Sequence, residues 1–119
     1  MNHQNGRKKL NMKSSYRTAY LRNQLIHLIT YGTLKTTKAN AREVKRFAEK
    51  IVTIARRGNN LTNRRHAESL LPYKAEALNK LFTEIAPRYT ERPGGYTRLV
   101  PMGRRMSDLA TISRLEWVL

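Results

Sequence analysis

The chain has no cysteine, which removes disulfides, thiolate metal sites and cysteine nucleophiles together. Carboxylates are scarce, eight in 119 residues, and they are dispersed. Glu43 and Glu49 fall on different faces of one helical pattern, so a two-carboxylate hydrolase or a two-metal nuclease has little to build on. His3, His27 and His66 are far apart, and none has a second His, Asp or Glu at metal-ligand spacing. The P-loop, the dinucleotide-binding glycine string and the nucleophile elbow are all missing. No apolar run approaches the roughly 18 residues of a membrane span, and the first residues lack the apolar core of a secretory signal. Residues 1–13 are also too short and polar for the amphipathic helix of a transit peptide. The expectation is a cytoplasmic protein with no cofactor, no metal, no membrane partner, no small-molecule substrate and no catalysis.

What the sequence does have is positive charge. Lys and Arg number 24, for a formal charge of +16, a density that makes a compact chain repel itself unless a polyanion answers it. Residues 1–42 carry nine basic side chains and no carboxylate, Glu43 being the first. The asymmetry reads as a basic arm, residues 1–13, joined to a better balanced domain, residues 14–119. Within the arm only Leu10 and Met12 are sizeable apolar side chains beyond the initiator, too few to offset the entropy of ordering. At 119 residues with 39% apolar side chains, one small core is expected.

Hydrophobic spacing predicts the elements. Ser14 or Ser15 offers an N-cap, and Ala19, Leu21, Leu25, Leu28 and Ile29 recur at helical spacing up to Gly32, predicting a helix over 15–31. The β-branched segment from Thr33 to Thr36 predicts a lone strand. Thr37 then caps a helix over 38–57, where Ala41, Val44, Ala48, Ile51 and Ala55 form a stripe that Phe47 and Ile54 widen, and Gly58-Asn59-Asn60 ends it. A helix over 61–71 turns Leu61, Ala67, Leu70 and Leu71 inward and stops at Pro72. Another over 74–86 presents Ala75, Leu78, Leu81, Phe82 and Ile85, with Pro87 as its limit. Segments 96–102 and 111–118 read as a hairpin turned by Gly103 to Leu109, with Leu115, Trp117 and Leu119 on one face. The fold class is α+β, a two-layer domain with three to four helices packed on a small sheet made of one short strand and a C-terminal hairpin.

Candidate binding residues follow from the charge. Arg7, Lys8, Lys9 and Lys13 can track a phosphate backbone, releasing counterions as they do; a solubilising or disordered tail is the weaker alternative, because solubility alone would not select one sign so strictly. Arg17 and Arg22 flank one broad face of the first helix, which a solvated surface explains about as well. Arg64, Arg65, Arg88, Arg92 and Arg98 present planar forks that match phosphate and stack on bases. Gly94 and Gly95 would let an RNA strand approach closely, and Tyr96 offers a stacking ring. An ordinary turn with Tyr96 in the core stands beside that reading.

The whole order of motifs resembles the bacterial large-subunit ribosomal protein seventeen family. The resemblance runs through Leu10-Asn11, Ser14-Ser15, Arg17, Arg22-Asn23, Lys35-Thr36-Thr37, Asn63-Arg64-Arg65, Lys80-Leu81-Phe82, Pro87-Arg88, Arg92 and Leu115-Glu116. Its most specific piece is Gly94-Gly95-Tyr96-Thr97-Arg98. The start, Met1-Asn2-His3-Gln4-Asn5, is less rich in Arg and His than the family's, and Met102 to Leu109 also departs. The resemblance implies a two-layer α/β fold and a structural place in the large ribosomal subunit, with large-subunit ribosomal RNA and neighbouring ribosomal proteins as partners and no obligate homo-oligomer. It adds RNA contacts at His3, Asn11, Ser15, Asn23, Lys35, Thr36, Thr37 and Lys38. Two rivals remain at the level of sequence. One is a DNA-binding regulator that uses the second and third helices as a helix-turn-helix with Arg64 and Arg65 reading bases; the other is a small metal-dependent nuclease.

Overall fold

The long central helix carries the fold because its sequence satisfies two demands at once. Ala, Lys, Arg and Glu hold it helical, while apolar side chains recur every three or four residues. The computed structural model describes residues 10, 12–72 and 75–118. In it this helix, α2, spans Lys38–Ala55 and buries Ala41, Val44, Ala48, Ile51, Val52, Ile54 and Ala55. It follows α1 (Ser14–Tyr31) and the strand β1 (Thr33–Thr37), and precedes α3 (Leu61–Leu70) and α4 (Ala75–Lys80). After α4 the chain keeps winding through a π turn (Leu81–Ile85) and a 3-10 turn (Ala86–Tyr89), then forms β2 (Thr97–Arg104) and β3 (Thr111–Trp117).

The three strands make one antiparallel sheet in the order β1-β3-β2. Alternation sets its faces. Leu34, Ser113, Leu115, Trp117 and Thr97 are buried towards the helices, which leaves Lys35, Arg98, Arg114 and Glu116 on the opposite, open face. One apolar cluster joins the layers: Leu25, Leu28 and Ile29 of α1, the α2 stripe, Leu81, Phe82 and Ile85, and Leu115 and Trp117 of the sheet. The Trp117 indole donates to the Leu28 carbonyl at 3.3 Å, so its polar edge is satisfied inside the core. The expected α+β class and the layering of helices on a small sheet are therefore observed.

Several local expectations are corrected. Lys13, not Ser14 or Ser15, occupies the N-cap of α1, without a side-chain bond; the serines already lie in the first turn, where the Ser14 carbonyl accepts the Thr18 hydroxyl at 3.0 Å. Asn60 caps α3 instead, accepting the Asn63 amide at 2.9 Å. Leu61 and Ala75 point outward, not in, because each opens a helix whose core contacts begin later. Pro87 does not stop the winding: it sits in the first turn of a new 3-10 segment, where its missing N–H would have had no partner anyway. The hairpin turn is shorter than Gly103 to Leu109, since β2 runs to Arg104. A bulge at Met102, between the Pro101–Ser113 and Gly103–Ile112 pairs, absorbs one extra residue and lets pairing continue. His3, Arg7, Lys8, Lys9 and Asn11, and with them most of the expected arm, lie outside the described residues.

Candidate nucleic-acid interface

The open face of the sheet is built from side chains that alternation forces out of the core. Its register sets Lys35 of β1 directly across from Arg114 of β3, a like-charged pair that destabilises a bare sheet. Across the other seam Arg98 faces Glu116. The Glu116 carboxylate accepts from Arg98 Nε at 3.1 Å and lies 3.0 Å from its Nη2. It also lies 3.5 Å from Arg114 Nε. That last contact is an ion pair without hydrogen-bond geometry, so the Arg114 Nε donor has no hydrogen-bond partner among the described residues. One carboxylate thus stands beside two guanidinium groups, with Lys35 across the strand from one of them.

Charge concentrates further where β1 runs into α2. Thr37 holds the N-cap position of α2 but makes no side-chain bond to it, and no acidic residue lies in the first turn. Neither the cap nor the first turn, among the described residues, supplies a group that answers the positive end of the helix dipole. Two adjoining hollows open here, of about 380 and 400 Å³, and both include Thr37 in their walls. Lys35, Arg104 and Arg105 line the first over a floor that includes Ile112; Lys38 and Arg42 line the second. Neither wall includes a carboxylate. Such a hollow suits an anion with flat apolar parts, which is the chemistry of a nucleotide.

The tip of the β2–β3 hairpin is preorganised beside them. Arg105 grips Asp108 through two hydrogen bonds, of 3.0 and 2.7 Å, and Asp108 also accepts the Ala110 amide at 3.1 Å. The Arg105 bond and the Ala110 amide hold the Asp108 carboxyl down at about 2, below its ordinary 3.8. Leu109 takes a left-handed φ of 58° to close the turn.

The residues expected to bind do not all meet at this place. Lys35, Thr36, Thr37 and Lys38 come together around the two hollows. Lys13, Ser15, Arg17 and Asn23 lie along α1. Arg22 of the same helix donates to the Leu70 carbonyl at 3.0 Å and the Ser69 carbonyl at 3.4 Å, closing the end of α3. Arg64 donates to Asn59 at 3.0 Å, bonds Asn79 and lies 5.1 Å above the Phe82 ring; Arg65 beside it is exposed. Arg88 is exposed next to Tyr89, and Arg92 stacks 5.8 Å over the Tyr89 ring and reaches the Gly95 carbonyl at 3.4 Å. Gly95 has a φ of 67° and open space where a Cβ would stand, as does Gly94. The role of Tyr96 is corrected. Its ring is wholly buried against Tyr89, with centroids 5.2 Å apart, and its hydroxyl meets Thr53 at 3.3 Å and Arg56 at 3.4 Å, so no base can stack on it. The core reading of this tyrosine holds because Gly95 bends the chain back over α2. Burial raises the neighbouring Tyr89 hydroxyl above its ordinary range, with Arg88 and Arg92 opposing the shift.

Arg42, Arg104, Arg105 and Arg114 were missed. Their signal was available in part. Arg42 lies four residues after Lys38, one turn along the same helix face, and Arg114 follows from strand alternation. Arg104 and Arg105 depend on the bulge, which the sequence marks only through Pro101 and Gly103.

A layered α+β protein with a cationic rim where its sheet meets the start of its central helix is the class these features define. A family model described as Ribosomal protein L17 matches residues 20–118. The chain is 46% identical over 118 residues to a protein of Sphingopyxis alaskensis named large ribosomal subunit protein bL17, spanning 99% of this chain and 84% of that relative. Proteins of the same name are similar to it in Syntrophus aciditrophicus, at 42% over 99% of this chain and 93% of theirs, and in Borrelia hermsii, at 45% over 95% and 90%. The chain belongs to the ribosomal protein L17 family.

Proposed function

We propose that this chain is a scaffold of the cytoplasmic large ribosomal subunit that binds its ribosomal RNA through the basic arm, residues 1–13, and through the cationic rim where β1 meets α2. A member of this family is a structural ribosomal component and not an enzyme. The observation that carries the RNA reading is the rim itself: Lys35, Lys38, Arg42 and Arg104 surround a helix start without a side-chain cap, beside an Arg105 whose charge Asp108 answers. Phosphates at that place answer the helix dipole and relieve the facing Lys35 and Arg114. Neighbouring ribosomal proteins are the second class of partner. The rival reading as a duplex-DNA regulator needs Arg64 free to reach bases, and Arg64 is held by Asn59, Asn79 and Phe82.

Binding of purified protein to large-subunit RNA fragments as a function of salt tests the proposal. Each contacted phosphate contributes about −0.7 to −0.9 to the log-log slope. The combined variant Lys35→Gln, Lys38→Gln, Arg42→Gln, Arg104→Gln is expected to flatten that slope by about 2 to 4. An unchanged slope and affinity removes the rim from the interface, and a flat slope in the unaltered protein ends the RNA reading altogether.

A further inference from the structure

The helix α1 has a second face that neither the core nor the cationic rim uses. At 100° per residue, Tyr16, Tyr20, His27 and Tyr31 fall within a sector of about 60°, roughly opposite the buried Leu25. Tyr16 is 62% and Tyr31 71% exposed, and His27 is exposed between them. The His27 and Tyr31 rings lie against each other, with centroids 4.7 Å apart and planes tilted by 51°. Tyr20 is half-buried, and its hydroxyl accepts the Asn40 amide at 3.0 Å, which fixes that ring against α2. The stripe is therefore a set of partly braced rings facing water.

None of these exposed rings is needed to close the core, since α1 already contributes Leu25, Leu28 and Ile29 to it. A protein-docking helix would add aliphatic side chains to its aromatics. Here the exposed side chains that border the ring sector are Asn23 and Thr30, an amide and a hydroxyl. Charge points the same way: α1 has no acidic residue, Arg17 adjoins the stripe, and the whole segment before Glu43 is free of carboxylates. Aromatic rings, an amide and flanking cations without carboxylates are what an unpaired RNA strand requires, bases stacking on rings while cations meet the backbone.

We propose that the α1 stripe of Tyr16, His27 and Tyr31 is a stacking platform for unpaired bases of the RNA, separate from the phosphate-binding rim. The proposal rests on the RNA-binding reading given above, and the two contributions differ in their response to salt. Stacking is an uncharged term and leaves the salt slope alone, whereas loss of a phosphate contact changes it.

The test uses the full chain and two labelled probes of equal length, a single-stranded oligouridylate and an RNA duplex. The double variant Tyr16→Ala, Tyr31→Ala is expected to lose about ten-fold in affinity for the single strand or more. Its salt slope and its duplex affinity should stay unchanged. The double variant Tyr16→Phe, Tyr31→Phe keeps the rings and is expected to retain the affinity, which separates stacking from lost hydroxyl bonds. Single-strand affinity unchanged in the alanine variant, or single-strand and duplex affinities reduced alike, overturns the platform while leaving the rim standing. Failure of the unaltered chain to bind either probe in a salt-dependent way overturns both.

Discussion

Tyr96 shows how one side chain can look functional and be structural. Its ring fills the space between α2 and β2, and its hydroxyl shares Thr53 and Arg56. Tyr96→Phe keeps the packing and loses only the hydroxyl contacts, so it should cost about 1 kcal/mol in chemical denaturation and leave RNA affinity unaltered. A fall in affinity with intact stability would return the residue to the interface. Asp108 provides a pH-dependent counterpart. Its carboxyl sits at about 2 in the folded chain instead of 3.8. The stabilisation from its bonds to Arg105 and Ala110 is fully present above about pH 4 and is lost as pH falls through the folded value. The Ala110 amide resonance should titrate with a midpoint near that value, and Arg105→Gln should move the midpoint upward toward the ordinary range.

At the scale of the element, turns and caps decide where each segment stops. Gly32 ends α1 with a φ of 82°, its amide bonded to the Leu28 carbonyl at 2.8 Å. A Cβ there meets nothing within 4 Å, so Gly32→Ala probes backbone strain without a clash. The expected cost is about 1 kcal/mol in thermal or chemical unfolding, and a neutral result would show that the left-handed cap is dispensable. This stop was legible in the sequence, as was the stripe of α2, because Ala41 to Ala55 repeat with a helix period that no strand shares. The path after Lys80 was not. A proline at position 87 ordinarily ends a helix, but the wide turn over Leu81–Ile85 and the tight one over Ala86–Tyr89 keep Ile85, Ala86 and Tyr89 in the core. Tertiary burial thereby overrides the local signal. The Met102 bulge was hidden for a related reason: pairing partners far apart in sequence set its position.

Over the whole molecule, the sign of the charge and the two-layer class were plain from composition and periodicity, whereas the place where cations gather depends on topology. Lys35 and Lys38 are close in sequence, yet Arg104 and Arg105 join Lys35 around one hollow only because the hairpin places β2 and β1 on either side of β3 in one sheet. The same strand order leaves β2 with one unpaired border. Pro101 on that border offers no amide hydrogen, and the neighbouring bulge interrupts the ladder beside it. A strand arriving from another copy at the β2 border, as distinct from that of β1, finds no regular row of donors to add to. Pro101→Val should restore one donor and raise the rate of self-association at high protein concentration, read by light scattering. With that interruption the β2 border of a free copy is a poor template for cross-β growth, whatever the concentration at which the copies meet.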